Sequence, residues 1–205
     1  MRTFILLICL FTPLWSAYAN DTTKNHTIVV LGDSLAAGYG LPAGQGFPEQ
    51  LEAFLKPNYP ALHVINAGIS GDTTAGGRAR ITLILEQNPD IVIIVLGGND
   101  ILRGLPPEQT RNNLDFIIKT LTDKNIKVLL AGFMAPPNYG REYGDIFNPI
   151  YPDLAKKYHA GLYPFFLDGV YGNASLNLLD GMHPNSKGIH HIVERIAPLV
   201  TDFLE

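Results

Sequence analysis

Four short polar stretches in this chain carry the groups needed to cleave an ester with a serine. Gly32-Asp33-Ser34-Leu35 offers a hydroxyl and Asn66-Ala67-Gly68 an amide with no side chain in front of it. Gly97-Gly98-Asn99-Asp100 offers a carboxamide, and Asp180-Gly181-Met182-His183-Pro184 a carboxylate and an imidazole. A serine hydroxyl is a weak nucleophile until a base takes its proton, and the base works only in the tautomer that an acid fixes. Asp180 and His183 are three residues apart in one loop. That spacing lets the carboxylate curl back to the Nδ1 proton and leaves Nε2 for Ser34. The amides of Ser34 and Gly68 and the side chain of Asn99 are the candidate donors to the negative oxygen of an acyl-transfer intermediate. Asp33 is expected to brace its own loop through backbone amides. Pro184 holds His183 extended, and Asn185 or Ser186 is placed to cap the helix that follows.

Each piece alone has a plainer use. A serine after a strand is commonly a turn residue or a cap, Gly68 and Gly97-Gly98 can be turn residues, and Asn99-Asp100 alone can be a turn or a helix cap. What favours chemistry is their arrival, in order, at the ends of successive strands. Five short runs are too brief and too rich in β-branched or aromatic residues to be helices: Ile28 to Leu31, His63 to Ile65, Ile91 to Leu96, Val128 to Leu130 and Leu162 to Phe166. Between them lie segments of helical period, marked by Phe47, Leu51, Phe54 and Leu55; by Ile81, Ile84 and Leu85; and by Leu114, Ile117, Ile118 and Leu121. Ile189, Ile192, Val193 and Ile196 mark the last. This alternation predicts an α/β fold: one three-layer α/β/α domain around a five-stranded parallel sheet. Ligands of open α/β sheets bind beyond the carboxyl ends of the strands, which is where the four polar stretches fall.

With 46% apolar and 17% charged residues over 205 positions, the chain can bury a full core and fits no disordered class. Its start reads as a secretory signal over residues 1–19: Arg2, an apolar run from Phe4 to Phe11, then Ala17-Tyr18-Ala19. Pro13 interrupts that run well short of a membrane span. The expected mature domain is 20–205, periplasmic or secreted, with no stable membrane anchor and monomeric by default. The only cysteine, Cys9, lies in the signal, so the mature chain has no thiol nucleophile and no disulfide. Loss of Arg2 leaves 14 basic against 19 acidic residues, a net of −5 with no basic run, which argues against nucleic acid as a partner.

Other chemistries fit less well. A metal site would have to draw on Asp180, His183, His190 and His191, but adjacent histidines on a helix point about 100° apart. The glycine-rich stretch from Gly38 to Gly44 lacks the Gly-Lys-Ser/Thr ending of a phosphate loop. No cofactor and no metal are expected. A carrier of fatty acid or lysolipid needs a groove but no acid and base, and it stands as the rival from another class.

The four stretches resemble the motifs of the GDSL/SGNH hydrolase family, with Gly68 taken as the glycine of the second. Gly38-Tyr39-Gly40, Ile69-Ser70-Gly71-Asp72-Thr73 and Pro137-Asn138-Tyr139-Gly140 are similar to the periplasmic thioesterase I/lysophospholipase/arylesterase branch. The resemblance implies a flavodoxin-like sheet and a catalytic triad of Ser34, Asp180 and His183. It also implies an oxyanion hole of Ser34, Gly68 and Asn99, and hydrolysis of aryl or acyl esters, thioesters and lysophospholipids. A carbohydrate acetylesterase is the alternative within the family. The segment from Gly132 to Asp145 looks like the substrate loop of that branch, with Phe133, Met134, Pro136 and Tyr143 expected along an acyl groove.

Overall fold

The computed structural model describes residues 25–205. The segment read as a secretory signal, 1–19, lies outside the described residues. Among those described, no helix is long and apolar enough to cross a membrane.

Along the chain the elements are β1 (His26–Gly32), α1 (Ser34–Ala37), α2 (Phe47–Leu55), β2 (Leu62–Gly68), α3 (Thr74–Ala79), α4 (Ile81–Leu85) and β3 (Ile91–Val95). Then come α5 (Gly98–Leu102), α6 (Pro107–Thr122), β4 (Lys127–Ala131), α7 (Arg141–Phe147), α8 (Ile150–Tyr158), β5 (Gly161–Tyr163) and α9 (Ser186–Leu204). The strands form one parallel sheet in the order β2-β1-β3-β4-β5. β1 and β3 are buried along nearly their whole length, as central strands covered on both faces must be. α2 packs on α9, while α3 and α8 pack on α6, giving a helical layer on each side of the sheet. The strand order reverses direction between β1 and β3, so a crevice opens at their carboxyl ends.

The expected α/β/α architecture and all five strands are present, with informative differences at the boundaries. β5 covers only Gly161–Tyr163, because Pro164 has no N–H to continue the ladder. β2 runs past Ile65 to Gly68, in register with β1 through the pair Gly32 and Gly68. Phe54 does not join Phe47, Leu51 and Leu55 on the buried stripe of α2; it is 43% exposed. Among the helices that the apolar pattern did not mark is α8, which buries Ile150, Tyr151 and Leu154. Pro149 and Pro152 flank its start, where a missing N–H costs nothing because the first turn has no acceptor for it.

Candidate active site

Ser34 is the first residue of α1, separated from β1 by Asp33 alone. Asp33 caps that helix, its Oδ1 accepting the Leu35 N–H at 3.0 Å. Capping at Leu35 leaves the Ser34 amide at a helix start, where no intrahelical acceptor exists. The Ser34 Oγ lies 2.9 Å from His183 Nε2. On the other side of the ring, His183 Nδ1 lies 2.7 Å from Asp180 Oδ2. The second oxygen of Asp180 accepts the backbone N–H groups of Met182 at 2.9 Å and His183 at 3.0 Å. These amide bonds, the His183 one first, hold the Asp180 carboxyl down at about 2, although its side chain is 40% exposed. Asp180 is therefore ionised wherever an imidazole is neutral.

The loop that carries this pair is tied at both ends. The Leu178 N–H donates to the His183 carbonyl at 2.7 Å, and the Asn185 N–H to the Leu176 carbonyl at 2.8 Å. Asn185, not Ser186, caps α9, accepting from the N–H groups of Lys187 and Gly188. Its own amide donates back to the carbonyls of Ser175 and Asn177. The imidazole thus stands at the start of the 19-residue helix α9.

Asn99 lies in the first turn of α5, after β3, and its Nδ2 donates to Asp33 Oδ2 at 3.1 Å. Asp33 braces its loop as expected and also orients this carboxamide. Only 2% exposed, Asp33 is pushed up to about 6 by burial, against the opposing pull of the Leu35 and Asn99 hydrogen bonds. Its ordinary value in the unfolded chain is 3.8. Between those two values the folded state holds the extra proton, so stability contributed by Asp33 is full below pH 4 and is lost as pH rises through 6. The gap corresponds to roughly 3 kcal/mol. Relative to Asp33→Asn, the wild-type unfolding midpoint should therefore fall between pH 4 and pH 7; parallel midpoint curves for the two proteins would show that the carboxyl does not titrate on folding.

Gly68 does not occupy the place expected of it. It still belongs to β2, its N–H donates to Asn66 Oδ1 at 3.0 Å, and it lies so close to α1 that a Cβ would sit 2.2 Å from the Ala37 nitrogen. The glycine that reaches the site is Gly71, three residues later. Its carbonyl accepts from Arg103 Nη2 at 2.6 Å. Arg80, unmarked in the sequence, joins the strand ends beneath it: Nη1 donates to the Ala67 carbonyl at 2.7 Å, Nη2 to that of Gly32 at 3.0 Å, and Nε to Asp72 at 2.8 Å.

Ser34, Gly71, Asn99 and His183 converge on one cavity of about 660 Å³, a size that suits a small organic ligand. Phe133, Met134 and Pro136 line it as expected. Tyr143 does not. Its ring stacks on Phe147 at 5.7 Å and its hydroxyl donates to the Leu105 carbonyl at 3.0 Å, so it supports the loop from behind. The apolar wall is completed by Ile101, Leu102, Phe165, Leu167, Tyr171 and Met182. Phe165 falls in the run read as the fifth strand and Met182 in the acid-base stretch, whereas Ile101, Leu102, Leu167 and Tyr171 show no period that would flag them. Among the described residues, no group of three or more His, Cys, Asp or Glu side chains is placed to hold a metal ion.

Residues 30–190 match the model of the GDSL-like Lipase/Acylhydrolase family. The chain is 39% identical over 198 residues to an arylesterase of Vibrio mimicus, covering 96% of this chain and 95% of that protein. It is 42% identical over 173 residues to thioesterase 1/protease 1/lysophospholipase L1 of Escherichia coli K12, covering 83% and 81%. The crystal structure of TesA superposes with a TM-score of 0.82 at 39% identity, covering 87% of this chain and 99% of that one.

Proposed function

The chain belongs to the GDSL-like lipase/acylhydrolase family and is a carboxylic ester hydrolase, and we propose that it works through an acyl-enzyme formed on Ser34. The observation that carries this reading is the unbroken relay from Ser34 Oγ to His183 Nε2 and from His183 Nδ1 to Asp180, opening onto a mostly apolar cavity. Ser34 Oγ attacks the ester carbonyl while its proton passes to His183 Nε2, and Asp180 steadies the imidazolium that results. The carbonyl oxygen becomes an oxyanion. Its donors are the Ser34 amide, the Asn99 hydrogen not engaged with Asp33, and the amide of Gly71 in place of Gly68. As the tetrahedral intermediate collapses, the carbon–oxygen bond to the leaving group breaks and His183 returns the proton to that oxygen. Water then repeats the sequence on the acyl-enzyme, with His183 as base, and frees the carboxylic acid and the Ser34 hydroxyl.

The relatives named arylesterase and thioesterase 1/protease 1/lysophospholipase L1 support aryl esters, acyl thioesters and lysophospholipids as the substrate class. So does the cavity wall. Most of its side chains are apolar, and the carbonyl oxygen of Asn148 is taken by the Ala135 N–H at 2.9 Å. A sugar needs hydrogen-bonding partners there, whereas an alkyl chain gains by burial. Nitrophenyl octanoate should be cleaved with a kcat/KM at least about tenfold above that for nitrophenyl acetate, which shares its leaving group, the worth of some two buried methylenes. The opposite ranking would move the assignment to a carbohydrate acetylesterase. Residues 1–19 support export to the periplasm or medium, where lipid and aryl esters from outside the cell are the accessible substrates.

A further inference from the structure

The Gly38-Tyr39-Gly40 stretch has no place in the relay described so far, yet it ends on it. α1 is one turn long, and Gly38 closes it in the left-handed conformation at φ 76°, its N–H donating to the Ser34 carbonyl. The Tyr39 N–H donates to the same carbonyl at 3.1 Å. Gly40, at φ 72°, bends the chain again beside Leu178, whose Cδ1 would lie 2.7 Å from a Cβ at that position. Leu178 belongs to the loop that carries Asp180. The double turn thus leads from the Ser34 helix to the Asp180 loop and sets the Tyr39 ring against the imidazole of His183, with centroids 4.6 Å apart and planes inclined by 40°. Tyr39 is 52% exposed, so burial of its own surface does not account for its placement. The His183 side chain beneath it is only 16% exposed, although its partner Asp180 is open to solvent.

We propose that Tyr39 is a positioning residue that covers one side of the His183 ring, confines it to the line between Asp180 and Ser34, and favours its protonated form during acyl transfer. The proposal rests on His183 being the base. A cation within about 6 Å of an aromatic ring is stabilised by the ring's negative face, by about two- to fivefold in equilibrium at a partly exposed site. In the active form, whose resting imidazole is neutral, the imidazolium arises only while the Ser34 proton is in transit, so a group that favours it lowers the barrier without strengthening ground-state binding. Two other groups contact the same imidazole, Asp180 from its own loop and Ser34 from α1, and the Asp33 carboxyl after β1 acts on it through charge alone. Asp180 favours the charged ring throughout this range, Asp33 does so only once ionised above about pH 6, and neither contact is altered by a change at Tyr39.

The test uses nitrophenyl acetate, whose short acyl group makes little use of the cavity wall, with kcat and KM followed from pH 5 to pH 9. Tyr39→Leu should lower kcat by about two- to fivefold and move the acid limb of the profile to lower pH by about half a unit, with KM little changed. Tyr39→Phe, which keeps the ring, should recover most of both effects. In the non-turning Ser34→Ala background, the NMR titration of His183 should show the same downward shift on Tyr39→Leu. A Tyr39→Leu enzyme with an unmoved acid limb and an unmoved His183 titration would overturn the proposal, as would a loss confined to KM. If the NMR shift appears and the rate profile ignores it, the ring contact is sound and the assignment of His183 as base has failed.

Discussion

Ser34→Ala should lose ester turnover by at least about a thousandfold while its unfolding midpoint stays within a degree or two of wild type. The loss is large because Ala has no atom to form the acyl-enzyme, so the reaction must fall back on water attacking an ester held only by the oxyanion donors. Stability should be nearly untouched for local reasons. The fold-bearing contacts of this turn belong to neighbours: Asp33 caps the helix through the Leu35 amide, and the Ser34 carbonyl accepts from Gly38 and Tyr39 whatever the side chain. Among the described residues, the hydroxyl's only polar partner is His183 Nε2. An ester hydrolysis rate unchanged by this substitution would point to the lipid-carrier reading, with any turnover arising elsewhere.

Asp180→Asn should cost about a thousand- to ten-thousandfold in kcat, by a different route. Asp180 Oδ1 accepts two backbone amides, so an asparagine must keep its carbonyl oxygen on that side to avoid leaving both donors unpaired. Its NH2 group then faces His183 Nδ1. That nitrogen must turn acceptor, the ring proton moves to Nε2, and the atom that should receive the Ser34 proton becomes a donor instead. The fold keeps its hydrogen bonds while the base is held in the wrong tautomer. Asp180→Ala removes the orienting bond without imposing that tautomer, so it should be the milder change at high pH if tautomer choice dominates. A variant Asp180→Asn with near-normal kcat would mean that the Nδ1 contact has no part in the rate-limiting step.

Much of this site could be read before any coordinates because its polar residues follow continuous apolar runs. A buried parallel strand announces itself by composition, and its carboxyl end is where the site of such a sheet must lie. Ser34, Asn99 and the Asp180–His183 pair all sit within a few residues of an element end, so short-range pattern located them. Gly68 was misplaced for the same reason. The apolar run of β2 fades after Ile65, but pairing with β1 carries the strand on to Gly68, and the chain reaches the cavity only at Gly71. Strand length is set by the neighbouring strand, which local composition does not report. Tyr143 failed differently. An aromatic in a loop near a cavity can face in or out, and its stacking on Phe147 and bond to the Leu105 carbonyl are tertiary contacts that decide the matter. The contact of Tyr39 with His183 joins residues from opposite ends of the chain, and no periodicity could have shown it.

Ser34 Oγ should become covalently bonded during turnover, and labelling tests this without relying on rates. An alkyl fluorophosphonate reacts with an activated serine by losing fluoride, and it leaves a stable phosphonyl ester that mass spectrometry can count and locate. Wild type should take up one equivalent on the peptide containing Ser34, lose its esterase activity in proportion, and be protected by an excess of ester substrate; Ser34→Ala should take up none. An enzyme fully inactivated with its label on another residue, or one that hydrolyses esters at full rate with Ser34 phosphonylated, would contradict the account.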